Sequence, residues 1–145
     1  MDGLIIRIDG SPETRALADG IRQRVFIEEQ GVPRDEIFDE LNGIATHIII
    51  LDGDMPIATA RIIDEGDAWR IGLVAVEKPM RGRGLGERIM RIAMDYIISR
   101  SGKEIILTAQ QDVCKFYEKL GFDKFGDNIV FESGVTLVPM KQRLS

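Results

Sequence analysis

The chain has 145 residues with a formal net charge of −5, and 44% of its residues are hydrophobic. This length predicts one domain spanning residues 1–145, which can bury a core without disulfide bonds. The single cysteine excludes an internal disulfide and fits a reducing cytoplasm. No apolar run is long enough to cross a membrane and no signal peptide is evident, so we expect a cytoplasmic protein without a membrane partner. An acidic chain without a basic block argues against nucleic-acid binding.

The first half of the chain predicts a strand, a helix and three further strands. Residues 4–8 are rich in β-branched side chains and bounded by glycine, which is typical of a strand. Ser11 can cap, and Pro12 can begin, an amphipathic helix that ends at Gly31. An acidic loop or short helix follows. Three strands joined by short turns then predict an antiparallel meander, at residues 46–51, 57–64 and 68–76.

The second half predicts a helix over 85–100, a strand over 104–110, a short helix ending at Gly121 and a closing hairpin. A helix connects strands 68–76 and 104–110, so these two strands should run parallel. The order β-α-β-β-β-α-β-α-β-β predicts an α/β or α+β fold. We expect a mixed, mostly antiparallel sheet of about seven strands flanked by helices.

The stretch "RGRGLGERIM" at 81–90 places three glycines between a strand and a helix. N–H groups at a helix start lack helical partners, and glycines allow a close approach, so this turn suits a phosphate. The Lys-Ser/Thr pair of a P-loop is absent, and the glycine spacing differs from that of a dinucleotide site. A tight turn without a ligand remains the alternative.

The glycine turn lies in the longer segment "LVAVEKPMRGRGLGERIM", and the segment "AQQDVCKFYEKLGF" follows it along the chain. The first segment resembles the acyl-CoA motif [Q/R]-x-x-G-x-[G/A] of the GNAT superfamily of acyl-CoA N-acyltransferases. The second resembles the N-x-x-A-x-x-F-Y-x-x-x-G-F segment of the same superfamily, with Gln110 at the position where Asn is commoner. The strand order also resembles that of the family, and both ends of the chain look like a small uncharacterised bacterial-type subgroup. The tail of that subgroup often reads E-x-G-I-P-H-V-x-M. In this chain Thr136 stands at the Pro position of that pattern and Leu137 at the His position.

The resemblance implies an N-acetyltransferase that moves an acetyl group from acetyl-CoA to a primary amine by direct attack, without a metal. It places the coenzyme pyrophosphate on main-chain N–H groups of 81–86. It places the pantetheine arm along 73–76, near the point where the sheet splays between this strand and strand 104–110. The implied coenzyme-binding residues are Val74, Ala75, Val76, Arg81, Gly82, Arg83, Gly84, Leu85, Gly86 and Gln110.

The resemblance also assigns catalytic roles. Tyr117 is the candidate acid that protonates the leaving thiolate, and a main-chain N–H near Val74 is the candidate oxyanion donor. The general base stays open between a chain of water molecules, which many family members use, and one of five acidic side chains, namely Glu28, Glu29, Glu40, Glu77 and Glu132.

Three residues are candidates for contact with the acceptor: Glu28, Glu29 and His47, the single histidine. His47 shares a strand face with apolar residues, which favours a partly buried structural role instead. We expect the acceptor to be a small-molecule or peptide amine. A non-catalytic acyl-CoA-binding sensor is the alternative function, and the apolar C-terminal strand indicates a possible homodimer.

Overall fold

The computed structural model describes residues 3–131 and 134–144. Its first half contains strand β1 (Leu4–Asp9), helix α1 (Pro12–Arg22), the short helix α2 (Arg34–Ile37) and strands β2 (Thr46–Asp52), β3 (Met55–Asp64) and β4 (Trp69–Val76). Its second half contains helix α3 (Leu85–Ser99), strand β5 (Glu104–Gln110), helix α4 (Cys114–Lys119) and strands β6 (Asp123–Lys124), β7 (Ile129–Val130) and β8 (Thr136–Arg143). Along the described residues, no helix is both long and apolar enough to span a membrane.

The strands form one mixed sheet in the order β1-β2-β3-β4-β5-β8-β6, with β7 also paired to β8. Neighbouring strands are antiparallel except β4 and β5, which run parallel as the connecting helix α3 predicts. The predicted fold class is therefore confirmed. The described residues form eight strands rather than about seven, because the two-residue strand β6 adds to the outside of β8.

Helix α1 begins as predicted and then changes its winding. The Ser11 side chain accepts a hydrogen bond from the Thr14 main-chain nitrogen at 3.2 Å, and Pro12 occupies the first turn. The helix continues from Gln23 to Glu29 in a wider π-helical form, and Gly31 follows with a φ of 70°. The π-helical segment changes which side chains face the sheet, and sequence periodicity does not predict it.

The sheet is covered on both faces. Helix α3 packs against one face through residues such as Ile89, Met90 and Ala93, which are fully buried with Ile48 and Ile50 of β2. Helix α1 and its π-helical continuation cover the other face, where Ala18, Ile21 and Val25 pack against strand residues. These strand residues are Ile49 and Leu51 of β2 and Ala75 of β4. Because β2 is buried on both faces, its sequence is a nearly continuous apolar run.

Candidate functional site

The glycine turn before α3 presents main-chain N–H groups that the helix does not use. Gly82 and Gly84 have φ values of 81° and 76°, in the left-handed region that favours glycine. Gly84 is the N-cap residue, and no side chain caps the helix. The first helical bond runs from the Arg88 nitrogen to the Gly84 oxygen at 3.0 Å, which leaves the N–H groups of 85–87 without an intrahelical acceptor. This arrangement suits an anion.

The first helical region consists of α1 and its π-helical continuation, Gln23–Glu29. A cleft of about 320 Å³ lies between the glycine turn, the end of β4 and the end of this first helical region. Eight of the ten predicted coenzyme-binding residues line it: Val74, Ala75, Val76, Arg81, Gly82, Gly84, Leu85 and Gly86. Val25 and Gln30 complete the wall, and neither was among the predicted coenzyme-binding residues. The structure therefore brings the strand segment and the glycine turn of the sequence prediction into one concave surface.

Two predicted residues lie elsewhere. Arg83 is an exposed residue of the turn that does not line this cleft. Gln110 lies at the end of β5 and lines a second cleft of about 410 Å³, together with Asp112 and Thr136. Leu137, the other departure from the subgroup tail, pairs with Gln110 across β5 and β8. Gln110 and the two tail departures are therefore close to one another.

Strand β4 separates from β5 beside the first cleft. The two strands pair only at Trp69 with Ile105 and at Arg70 with Ile106, so the rest of this edge of β4 has no strand partner. The expected splay of the sheet is present. An unpaired strand edge can bind an extended ligand that carries amides.

A bulge interrupts the other edge of β4 at the same level. Arg61 pairs with Gly72 and Thr59 with Ala75, so one residue of β3 faces two residues of β4, Leu73 and Val74. Leu73 has a φ of 48°, an uncommon value for a residue with a side chain. The bulge turns the main chain at Val74, the predicted oxyanion donor, out of the regular ladder.

Tyr117 lies on α4, which packs near the start of α3. A Cβ added at Gly86 would lie 3.6 Å from the ring of Phe116, the neighbour of Tyr117. The Tyr117 ring makes edge-to-face contacts with Phe116 and Phe122, at 5.0 and 6.2 Å between ring centroids. Burial raises the pKa of Tyr117, with a further contribution from Cys114. The tyrosine is therefore protonated at neutral pH, as a proton donor must be.

Two ion pairs join the first helical region to the segment between β4 and α3. Arg81 donates from Nη1 and Nη2 to the two Glu29 carboxylate oxygens, each at 2.7 Å, and from Nε to the Val76 oxygen at 3.0 Å. Arg24 Nε lies 2.5 Å from Glu77 Oε2. The hydrogen bonds from Arg81 lower the pKa of Glu29, which makes its carboxylate a weaker base.

Comparison with known proteins adds to this geometry. The family model described as "Acetyltransferase (GNAT) domain" matches residues 14–144. This chain belongs to the GNAT acetyltransferase family. It is 28% identical over 120 residues to the uncharacterized N-acetyltransferase YjcF of Bacillus subtilis strain 168, which covers 83% of this chain and 86% of that protein.

Solved structures of proteins named as N-acetyltransferases have the same fold. A Lactobacillus plantarum protein assigned as an N-acetyltransferase superposes with a TM-score of 0.89 and 27% identity, covering 99% of this chain and 100% of that one. An aminoglycoside 6'-N-acetyltransferase complexed with coenzyme A shares the fold, with a TM-score of 0.76, 17% identity and 97% coverage of both chains.

His47 does not line the cleft between the glycine turn and the end of β4. Its side chain is fully buried under α1, and both ring nitrogens are engaged, Nδ1 with Arg22 at 3.1 Å and Nε2 with the Asn42 oxygen at 3.0 Å. Arginine can only donate, so Nδ1 accepts and the neutral ring carries its proton on Nε2. Burial and the nearby Arg22 lower the pKa of His47. These contacts agree with the buried structural role that the sequence favours for His47, and they do not agree with a contact between His47 and the acceptor.

Around His47 lies a buried polar network that the sequence did not predict. Arg61 donates to Asp39 at 2.7 Å and to Asn42 at 3.0 Å, while Arg22 has no exposed surface. Burial lowers the pKa of Arg22 to about 10, so it stays charged at neutral pH. These contacts tie residues 39–42 to β2, β3 and α1.

The other candidate bases have varied positions. Glu28 and Glu40 are exposed, Glu77 is paired with Arg24, and Glu132 lies outside the described residues. Within 3–131 and 134–144, no group of three or more histidine, cysteine or acidic residues is arranged to hold a metal. No side chain of the described chain is thus marked by its contacts as the general base.

Proposed function

We propose that this GNAT protein is an acetyl-CoA-dependent N-acetyltransferase that acetylates a primary amine of a small molecule or peptide by direct attack. The observation that carries the proposal is the cleft in which the open edge of β4 meets the free N–H groups at the start of α3. Family membership supports the same class of reaction.

The described residues suit both halves of coenzyme A. The N–H groups of 82–86 would hold the pyrophosphate, whereas the Arg81 N–H, also expected there, already donates to the Lys78 oxygen at 3.3 Å. A Cβ added at Gly82 or Gly84 would meet nothing within 4 Å, which indicates an open approach to the main chain. The unpaired edge of β4 would bind the two pantetheine amides as a neighbouring strand does. In this placement the thioester lies near the bulge at Val74.

The chemistry then needs few groups. The neutral amine attacks the thioester carbonyl carbon, so that a C–N bond forms and the C–S bond breaks. The Val74 N–H stabilises the oxyanion, and Tyr117 gives its proton to the leaving thiolate. The amine loses its proton to water or to a base of the acceptor pocket, because none of the carboxylates within 3–131 and 134–144 is buried.

The remaining parts of the proposal concern the partners. The exposed Glu28, next to the paired Glu29, is our candidate for contact with a cationic acceptor. We propose a cytoplasmic protein that forms a homodimer. The C-terminal strand β8 pairs with β5 on one edge and with β6 and β7 on the other, so the expected contact through this strand does not have a free strand edge. Sedimentation at high micromolar concentration tests the dimer, and a monomer there rejects it.

Two titrations and a turnover assay test the proposed activity. Coenzyme A should bind and ATP should not, since the turn lacks the lysine of an ATP-binding P-loop. A panel of amines with acetyl-CoA, read as released thiol, should then identify an acceptor. Tight coenzyme binding without turnover on any amine would favour the acyl-CoA sensor, and preferential ATP binding would reject both functions.

A further inference from the structure

The Arg81 guanidinium is held by protein groups on two sides. Its two terminal nitrogens bind both oxygens of Glu29, and its Nε binds the Val76 oxygen at the end of β4. A bidentate, charge-assisted pair of this kind fixes the plane of the guanidinium. Glu29 also neutralises its charge. Arg81 opens the glycine turn, yet its charge is directed toward the first helical region.

The pair spans the cleft. Glu29 ends the π-helical segment, its neighbour Gln30 lines the cleft, and Arg81 lines the opposite wall. Arg24 and Glu77 cross the same gap with the opposite polarity. Along the chain, the first helical region therefore carries a positive charge at Arg24 and then a negative charge at Glu29. The segment between β4 and α3 carries a negative charge at Glu77 and then a positive charge at Arg81. A slip of one segment along the other would bring like charges together, so this pattern fixes their alignment.

We propose that Glu29 is a positioning residue for coenzyme A, which acts through Arg81 to hold the glycine turn and the first helical region at the separation that the cleft requires. Glu29 then serves neither as the general base nor as an acceptor contact. The inference rests on the proposed coenzyme A site. A turn held in place before binding loses less conformational freedom on binding, so the pair strengthens coenzyme affinity without touching the coenzyme.

The charge state of Glu29 agrees with this role. Hydrogen bonds from Arg81 lower the pKa of the Glu29 carboxyl. The carboxylate stays ionised through the neutral range, so the pair is present wherever the enzyme would work.

Glu29→Gln separates this role from the obvious alternative. The amide keeps the size of the side chain but loses its charge and one acceptor oxygen, so the bidentate pair is lost. If Arg81 positions the turn, coenzyme A affinity falls by roughly 5-fold to 20-fold, the scale of a modest coupling between sites. If Arg81 is a phosphate ligand restrained by Glu29, its release tightens binding instead.

A matched control is Glu65→Gln. It breaks the Arg70–Glu65 pair, whose nitrogen–oxygen distance is 2.6 Å and which lies away from the cleft lining. The coenzyme affinity of this variant should equal that of the wild type. Glu29→Asp keeps the charge on a shorter side chain, and it should recover part of the affinity lost in Glu29→Gln.

Two measurements decide the inference: calorimetric titration with coenzyme A, and amide hydrogen exchange of 81–86 without coenzyme. We expect weaker binding and faster exchange in Glu29→Gln, with the thermal stability close to that of the wild type. Unchanged or tighter binding in Glu29→Gln overturns the inference, as does amide exchange of 81–86 equal to that of the wild type. A wild-type protein that fails to bind coenzyme A rejects the proposed function and this role with it, while the exchange data still show whether the pair holds the turn.

Discussion

Gly84→Ala tests whether the glycine turn holds the coenzyme phosphates. Gly84 has a φ of 76°, and a Cβ there meets nothing within 4 Å, so the backbone alone opposes the substitution. A left-handed residue with a side chain costs about 1–2 kcal/mol. For a chain of this size, that cost lowers the melting temperature by roughly 3–6 °C. Any relaxation of φ at residue 84 also rotates the N–H groups of the turn.

The expected loss of affinity follows from those N–H groups. A hydrogen bond to a charged group contributes about 1.5–3 kcal/mol, so misdirecting one of them should weaken coenzyme A binding at least about tenfold. Gly66→Ala is the matched control, because Gly66 has a φ of 89° and open space at its Cβ but lies in the turn between β3 and β4. Thermal unfolding should show a similar loss for both variants, and calorimetry should show weaker binding only for Gly84→Ala. A folded Gly84→Ala protein with wild-type affinity, or equal weakening by both variants, would refute the placement.

Three further predictions concern other parts of the molecule. Tyr117→Phe should lower kcat roughly 10²–10⁴-fold at unchanged coenzyme affinity; in the native enzyme, kcat/KM should fall only above the ordinary tyrosine pKa of about 10, because burial raises the pKa of Tyr117. The pKa of His47 is lower in the folded state, so as the pH drops the unfolded chain binds a proton at this residue before the folded chain does. The free energy of unfolding should therefore decrease below about pH 6.5, the ordinary pKa of histidine. Denaturant unfolding at several pH values should show a smaller decrease for His47→Gln than for the wild type. Gly102→Ala should cost about 1–3 kcal/mol, because its Cβ would lie 2.4 Å from Ile97 Cγ2 and 2.9 Å from Trp69 Cδ1, and a wild-type melting temperature would contradict this packing.

The local features of this protein could be predicted from its sequence. The glycine turn follows from glycines that occupy left-handed positions next to a helix start, and the strands follow from apolar runs bounded by turn residues. The face of His47 follows from the alternation of side chains along β2. In each case the signal lies within a few residues of the feature it predicts.

The features that the sequence did not predict depend on distant contacts. Glu29 and Arg81 are 52 residues apart, and Arg22 and His47 are 25 apart, so only the packing of α1 on the sheet brings them together. Val25 and Gln30 line the cleft because a π-helical segment ends the first helical region, and helical periodicity carries no sign of it. The acidic character of Glu29 was visible in the sequence, but its partner was not.

The short pairing between β4 and β5 has a mechanical consequence. Two parallel residue pairs connect the ladder of β1–β4 to the ladder of β5–β8, although each ladder is continuous within itself. The backbone hydrogen bonds of the sheet therefore form two ladders joined by a narrow bridge at Trp69 and Arg70, while one hydrophobic core with residues of both ladders packs them together. Under tension or mild denaturant, we expect the backbone hydrogen bonds of this bridge to open before those within either ladder, along the wall of the cleft, while the shared core keeps the two ladders together.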